Sequence, residues 1–177
     1  MDKQVLHKIY QHHVRLAREL NESATQYFGL NGLTIQLNRL NMYDQMEESL
    51  KNIDLSQYIV FPFDSENDSS YVIFHRSFSK ALTLHAIGLD DDIPEGQNSQ
   101  SLIEEFSCLK IIYLMTQYFQ QMSIEIQQSH SPTSINFDQL SDFSSELLVA
   151  SLSLIKQQES LGNFYIIFPK QRFGDAL

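Results

Sequence analysis

The sequence predicts a single α/β domain built as two similar halves about a pseudo-twofold axis. Three observations predict it. Apolar residues Val5, Ile9, Leu16, Leu20, Ala24 and Tyr27 recur at steps of three, four or seven, the spacing of one helix face. Leu33, Ile35 and Leu37 then alternate with Thr34, Gln36 and Asn38 as in a half-buried strand. Finally, Tyr71-Val72-Ile73-Phe74, followed by Phe78, Ala81 and Leu82, returns as Tyr165-Ile166-Ile167-Phe168, followed by Phe173, Ala176 and Leu177, with one extra residue between the parts.

The first helix stops at Gly29 and the Asn31-Gly32 pair, which supply C-cap and turn chemistry. Met42, Met46, Leu50 and Ile53 suggest a shorter helix around residues 44–51. Residues 58–63 and 71–74 are apolar, β-branched and aromatic runs, and the polar residues 64–70 between them read as a hairpin loop. Residues 90–98 combine acidic, Pro, Gly and Asn residues without periodicity and form the best internal linker. Ser99 or Ser101 then caps a second long helix, with Glu104 and Glu105 near its positive end. Its apolar residues Leu102, Phe106, Leu109, Ile112, Tyr113 and Phe119 cover a broad face and predict burial on much of its circumference. A strand over residues 123–127 and a hairpin beginning at residues 147–155 complete the second half. Repeats of about 1–90 and 97–177 within a single domain 1–177 follow, because neither half has enough apolar surface to close a core alone.

Composition narrows the function. At 177 residues and 42% hydrophobic, the chain suits one domain. A net charge of −10 without a Lys/Arg cluster gives no footprint for nucleic acid or an anionic membrane surface. The N-terminus lacks a signal-peptide apolar core, and the longest apolar stretch, residues 111–115, is too short for membrane insertion. The single cysteine, Cys108, reads as a small buried hydrophobe and suits a reducing, cytoplasmic compartment.

The order and spacing of these segments resemble the CheC/FliM superfamily, and most closely the middle domain of the flagellar motor-switch protein FliM. The residues that carry the resemblance are Leu33-Thr34-Ile35-Gln36-Leu37, the 46–50 helix, Tyr71-Val72-Ile73-Phe74 with the helix of residues 78–87, and the 151–168 hairpin ending Phe-Pro. The resemblance implies an α/β sandwich with long helices on both sides of a central sheet. It also implies a non-enzymatic motor-switch (C-ring) scaffold in chemotaxis and motility, at the cytoplasmic face of the flagellar basal body. The implied partners are a FliG-like rotor protein, neighbouring copies of the chain and a CheY-type response regulator. FliM docks FliG through a Gly-Gly-x-Gly loop. The matching place here reads Ile87-Gly88-Leu89-Asp90-Asp91, with one glycine, so these five residues are the candidate partner-binding site. Residues 1–177 hold no counterpart of FliM's acidic CheY-binding peptide or its SpoA domain. A component of a type III secretion sorting ring is a variant of the same reading.

The superfamily also contains phosphatases of the CheC type, which use Asp/Ser-x-x-x-Glu-x-x-Asn to orient water against an aspartyl phosphate. The second long helix offers Ser101, Glu105 and then Cys108, whose thiol cannot supply the paired donor and acceptor of a carboxamide. Glu105 therefore reads as a solvated capping acid, and no catalytic residue is assigned. His7, His12 and His13 lack the spacing of a metal site and read as an exposed or interfacial helix face. Asp90, Asp91 and Asp92 read as solvated loop acids rather than a cation site. No cofactor motif is present: neither a Gly-x-Ser-x-Gly elbow nor a Gly-rich phosphate loop occurs.

Overall fold

The computed structural model describes residues 3–29, 32–43, 54–64, 69–88, 97–122, 124 and 146–169. Three α-helices are described, α1 (Lys3–Phe28), α2 (Arg76–Ala86) and α3 (Gln97–Gln121), and a 3-10 turn spans Leu55–Gln57. Five strands are described: β1 (Leu33–Tyr43), β2 (Tyr58–Asp64), β3 (Ser69–His75), β4 (Leu147–Lys156) and β5 (Glu159–Pro169). The strands form one sheet of order β1-β4-β5-β3-β2, antiparallel at each junction. The short helix expected around residues 44–51, most of the strand expected over 123–127 and the helix start expected after Phe168 lie outside the described residues.

The sheet's two faces differ in the size of their side chains. Phe61, Phe74, Phe164 and Phe168 are buried on the face that also receives Ile9, Leu16 and Leu20 of α1, Phe78 and Leu82 of α2, and Ile111, Met115 and Phe119 of α3. The other face carries the smaller cluster of Val60, Tyr71, Ile73, Leu147, Val149 and Ile167. All three described α-helices thus lie on one face, where the resemblance implied helices on both. The reason is the alternation of strand side chains: the packed phenylalanine rings, such as Phe74 on Phe164 at 5.2 Å, fall on the α-helical side, while the other face carries the Tyr58–Tyr165 pair.

β1 runs six residues beyond the alternation ending at Leu37, and a bulge makes this possible. Its register with β4 shifts between Leu37 and Arg39, leaving Asn38 as the extra residue, whose side-chain amide donates to Ser153 Oγ at 2.5 Å. The bulge flips parity, so Leu33, Ile35 and Leu37 before it and Leu40 and Met42 after it all face the helices. As a sheet edge, β1 has outward backbone groups to satisfy. Asn21 of α1 does this at Ile35, accepting from its N–H at 2.5 Å and donating to its carbonyl at 2.6 Å, which clamps the helix to the strand.

β3 and β5 pair as Tyr71 with Ile167, Val72 with Ile166, and Ile73 with Tyr165. When Tyr71-Val72-Ile73 is aligned with Tyr165-Ile166-Ile167, the middle residues pair with each other and the flanking ones exchange. A twofold axis through the Val72–Ile166 pair produces that register. β2 and β4 flank this central pair on opposite sides. For this register we propose an internal repeat of about residues 1–90 and 97–177.

α3 starts at Gln97, so Gln97 and Asn98 are helical rather than linker, and Ser99 and Ser101 lie inside the helix rather than capping it. Gly96 is the last strong breaker, and Gln, Asn and Ser cost only a few tenths of a kcal/mol each in a helix. Glu105 consequently lies beyond the first turn, past the reach of the helix's positive end. α2 begins two residues earlier than expected, because His75 acts as its N-cap: Nδ1 accepts from the Ser77 N–H at 3.1 Å. Gly162 of β5 lets the start of α2 sit directly on the sheet, since a Cβ there would collide with the backbone of Phe78.

Candidate docking surface

α1 and α3 pack antiparallel. Tyr118 Oη donates to the His12 carbonyl at 3.0 Å and the Phe119 ring meets His13 edge-on at one end, while Lys110 reaches Tyr27 at the other. α2 crosses the second end. The buried hydroxyls of Thr83 and Ser107 are 2.7 Å apart, and Cys108 Sγ approaches Ser79 Oγ at 3.6 Å, tying α2 to α3. His85 Nε2–H donates to the Gly29 carbonyl at 3.0 Å, tying the last turn of α2 to the end of α1.

Two glycine caps meet there. Gly29 has φ +62° and donates its N–H to the Thr25 carbonyl at 3.0 Å. Gly88 has φ +71° and donates to the His85 carbonyl at 3.2 Å, one residue after Ile87 donates to Thr83 at 3.1 Å. This left-handed conformation favours glycine and ends each helix. The glycine retained at position 88 therefore serves first to end α2, in the left-handed position after its C-cap Ile87. Ile87 beside it is 49% exposed. Leu89, Asp90 and Asp91, the other candidate residues, and Asp92 lie outside the described residues.

Two aromatic side chains that helical spacing assigned to buried faces are instead on the surface of this corner. Tyr27 is 58% and Phe106 60% exposed, and the Lys110 ammonium lies over both rings, 5.7 and 5.8 Å from their centroids. Tyr113, one of the predicted apolar face of α3, is exposed as well. Ser107, Cys108, Ile111, Ile112, Leu114, Met115, Thr116, Tyr118 and Phe119 form the buried side. Phe106 and Tyr113 are a helical heptad apart and share the exposed side of α3, which the broad run of apolar residues did not distinguish from the core face. Helical spacing places Lys110 one turn from Phe106, but only the tertiary packing of α1 on α3 brings it against Tyr27.

The histidines divide. His7 is exposed and His12 half-buried, but His13, expected on an exposed or interfacial face, is fully buried. It follows Ile9 by one turn and precedes Leu16 and Leu20 on the core stripe; its Nδ1–H donates to the Ile9 carbonyl at 2.9 Å. Burial, the dominant cause, pushes its pKa down to about 4, against the Ile9 hydrogen bond and with a smaller contribution from His12. His12 is lowered by burial, then by Arg15 and Lys8. On the other sheet face, burial pushes Tyr58 up to about 12, with Tyr165 adding to it.

Among the described residues no three His, Cys, Asp or Glu side chains form a group that could hold a metal, and no helix is long and apolar enough to cross a membrane. A cavity of about 70 Å³ between α1 and α3, lined by Leu16, Glu19, Leu20, Leu114, Gln117 and Tyr118, is far below the roughly 300 Å³ at which small-molecule sites begin. Cys108 is buried against Ser79, and Glu105 is half-buried.

No protein-family model and no curated protein matches the chain. Solved structures do, and they show its fold: the α/β fold of FliM middle domains and of FliY. The FliM middle domain from H. pylori matches with a TM-score of 0.70 at 13% identity, over 99% of this chain and 98% of that one. FliM in a FliG–FliM complex from H. pylori matches at 0.72 and 14%, over 98% of each chain. FliY from Thermotoga maritima matches at 0.70 and 10%, over 99% of this chain and 95% of that one. At these identities the likeness is one of fold.

Proposed function

We propose that the chain is a non-enzymatic scaffold of a flagellar motor switch, acting through protein–protein contacts with a FliG-like rotor protein and with neighbouring copies of itself. The observation that carries this reading is the full-length likeness to FliM middle domains, one of them solved with FliG. The docking residues are Ile87, Gly88, Leu89, Asp90 and Asp91, and the place of action is the cytoplasmic face of the flagellar basal body. A CheY-type response regulator acts as the signalling partner.

The physical basis is a rigid helical layer with an exposed edge. α2 is tied to α3 through Thr83–Ser107 and to α1 through His85–Gly29. A load applied at Ile87 therefore moves three helices and their sheet together, as a tilting part of a ring requires. The CheC-type phosphatase reading draws no support from α3. Cys108 stands where that family's amide must meet water, and it is buried against Ser79.

Calorimetric titration with the FliG middle domain of the same organism tests the reading. Saturable binding that Ile87→Asp weakens at least about tenfold is expected, since an exposed apolar contact is replaced by a charge. Ile87→Asp is a cleaner probe than a change at Gly88, whose positive φ makes any side chain strain the helix cap. Absence of binding by the unaltered chain rejects the FliG-like partner.

A further inference from the structure

Single exposed apolar residues are ordinary on protein surfaces; a cluster of the most exposed ones is not. Among the described residues, Phe106, Tyr27 and Ile87 are the three most exposed large hydrophobic side chains, ahead of Tyr10 at 43%. All three gather at one corner. Tyr27 lies two residues before the Gly29 carbonyl that His85 holds, Ile87 lies two residues after His85, and Phe106 adjoins the Ser107 that bonds Thr83. Lys110 completes the corner with its ammonium over the Tyr27 and Phe106 rings. Among the described residues no carboxylate pairs with Lys110, although the chain carries a net charge of −10.

We propose that Tyr27, Phe106, Ile87 and Lys110 form a docking surface for an apolar segment of the FliG-like partner that carries a carboxylate. The inference rests on the partner proposed above and extends its contact from the loop after α2 onto the faces of α1 and α3. The segment's apolar side chains cover the two rings and Ile87, removing from water the most exposed apolar surface of the described residues. Its carboxylate meets Lys110. The rings hold that ammonium against apolar surface in the free chain, so its charge is already oriented before the partner arrives. Across the contact the two opposite charges attract, whereas a basic segment leaves two like charges facing each other. Charge complementarity therefore selects an acidic apolar segment over a basic one.

The full chain is titrated with the FliG middle domain of the same organism as the unaltered protein, Phe106→Ala, Lys110→Met and Lys110→Glu. Thermal unfolding of each variant alone confirms that it folds. Phe106→Ala is expected to weaken binding at least about tenfold. Lys110→Met is expected to retain the apolar contact but flatten the salt dependence of the affinity, and Lys110→Glu is expected to weaken binding further than Lys110→Met. If the unaltered chain binds and all three variants match it, the corner is overturned while the loop reading survives. If the unaltered chain does not bind, the partner reading fails and this inference fails with it.

Discussion

The two ends of the α1–α3 pair treat the same kind of residue in opposite ways. At one end His13, Tyr118 and Phe119 are closed into the core, with Phe119 stacked edge-on against Phe168 and Tyr118 bonded to the backbone of α1. At the other, Tyr27 and Phe106 stand in solvent with a lysine between them. The closed end lies over the large aromatic face of the sheet, whereas the open end is capped by two glycines and crossed by α2. An aromatic residue at helical spacing is thus core at one end and surface at the other, and the difference separates what holds the fold from what is available to a partner.

The largest effect expected from breaking this contrast is at the closed end. Phe119→Ala removes a ring that touches His13, Tyr118 and Phe168. It should cost about 4 kcal/mol, read as a fall in the denaturant midpoint. His13 gives the next largest. Its folded pKa of about 4 lies below the ordinary 6.5, so between those values the unfolded chain binds more protons. Stability is then full above about pH 6.5 and falls as the pH drops toward 4, by about 3 kcal/mol in all. Unfolding curves across that window should show the loss, and His13→Leu should remove its share. Tyr118→Phe forfeits only the hydrogen bond to the His12 carbonyl, about 1 kcal/mol. Smallest is the open end: Phe106→Ala should change stability by no more than about 0.5 kcal/mol, because the ring is already in water. A large loss there would erase the contrast.

Much of the fold was legible because burial writes itself as periodicity. Ile9, Leu16, Leu20 and Ala24 share one stripe of α1, and Tyr71-Val72-Ile73-Phe74 and Tyr165-Ile166-Ile167-Phe168 form the adjacent central strands. What escaped was set by tertiary contact. The bulge at Asn38 carries strand β1 past the end of its alternation, although the later pair Leu40 and Met42 in the opposite parity was its trace. His13 sits on the core stripe, but a lone histidine there has the same spacing as one facing solvent. The β4–β5 turn places Gln157 and Gln158 at positive φ, 50° and 73°, without the glycine or asparagine that announces such turns. Of the candidate site, Ile87 and Gly88 were reachable from the resemblance. The corner of Tyr27 with Phe106 and Lys110 was not: the last two are one turn apart on α3, but only packing brings a residue at position 27 against one at position 110.

The most direct test of the contrast is an amide hydrogen-exchange footprint of the full chain with the FliG middle domain of the same organism. Protection is expected at residues 27–29, 85–88 and 106–110 and not at residues 12–13 or 118–119. Protection confined to the closed end, or none at all, would contradict it.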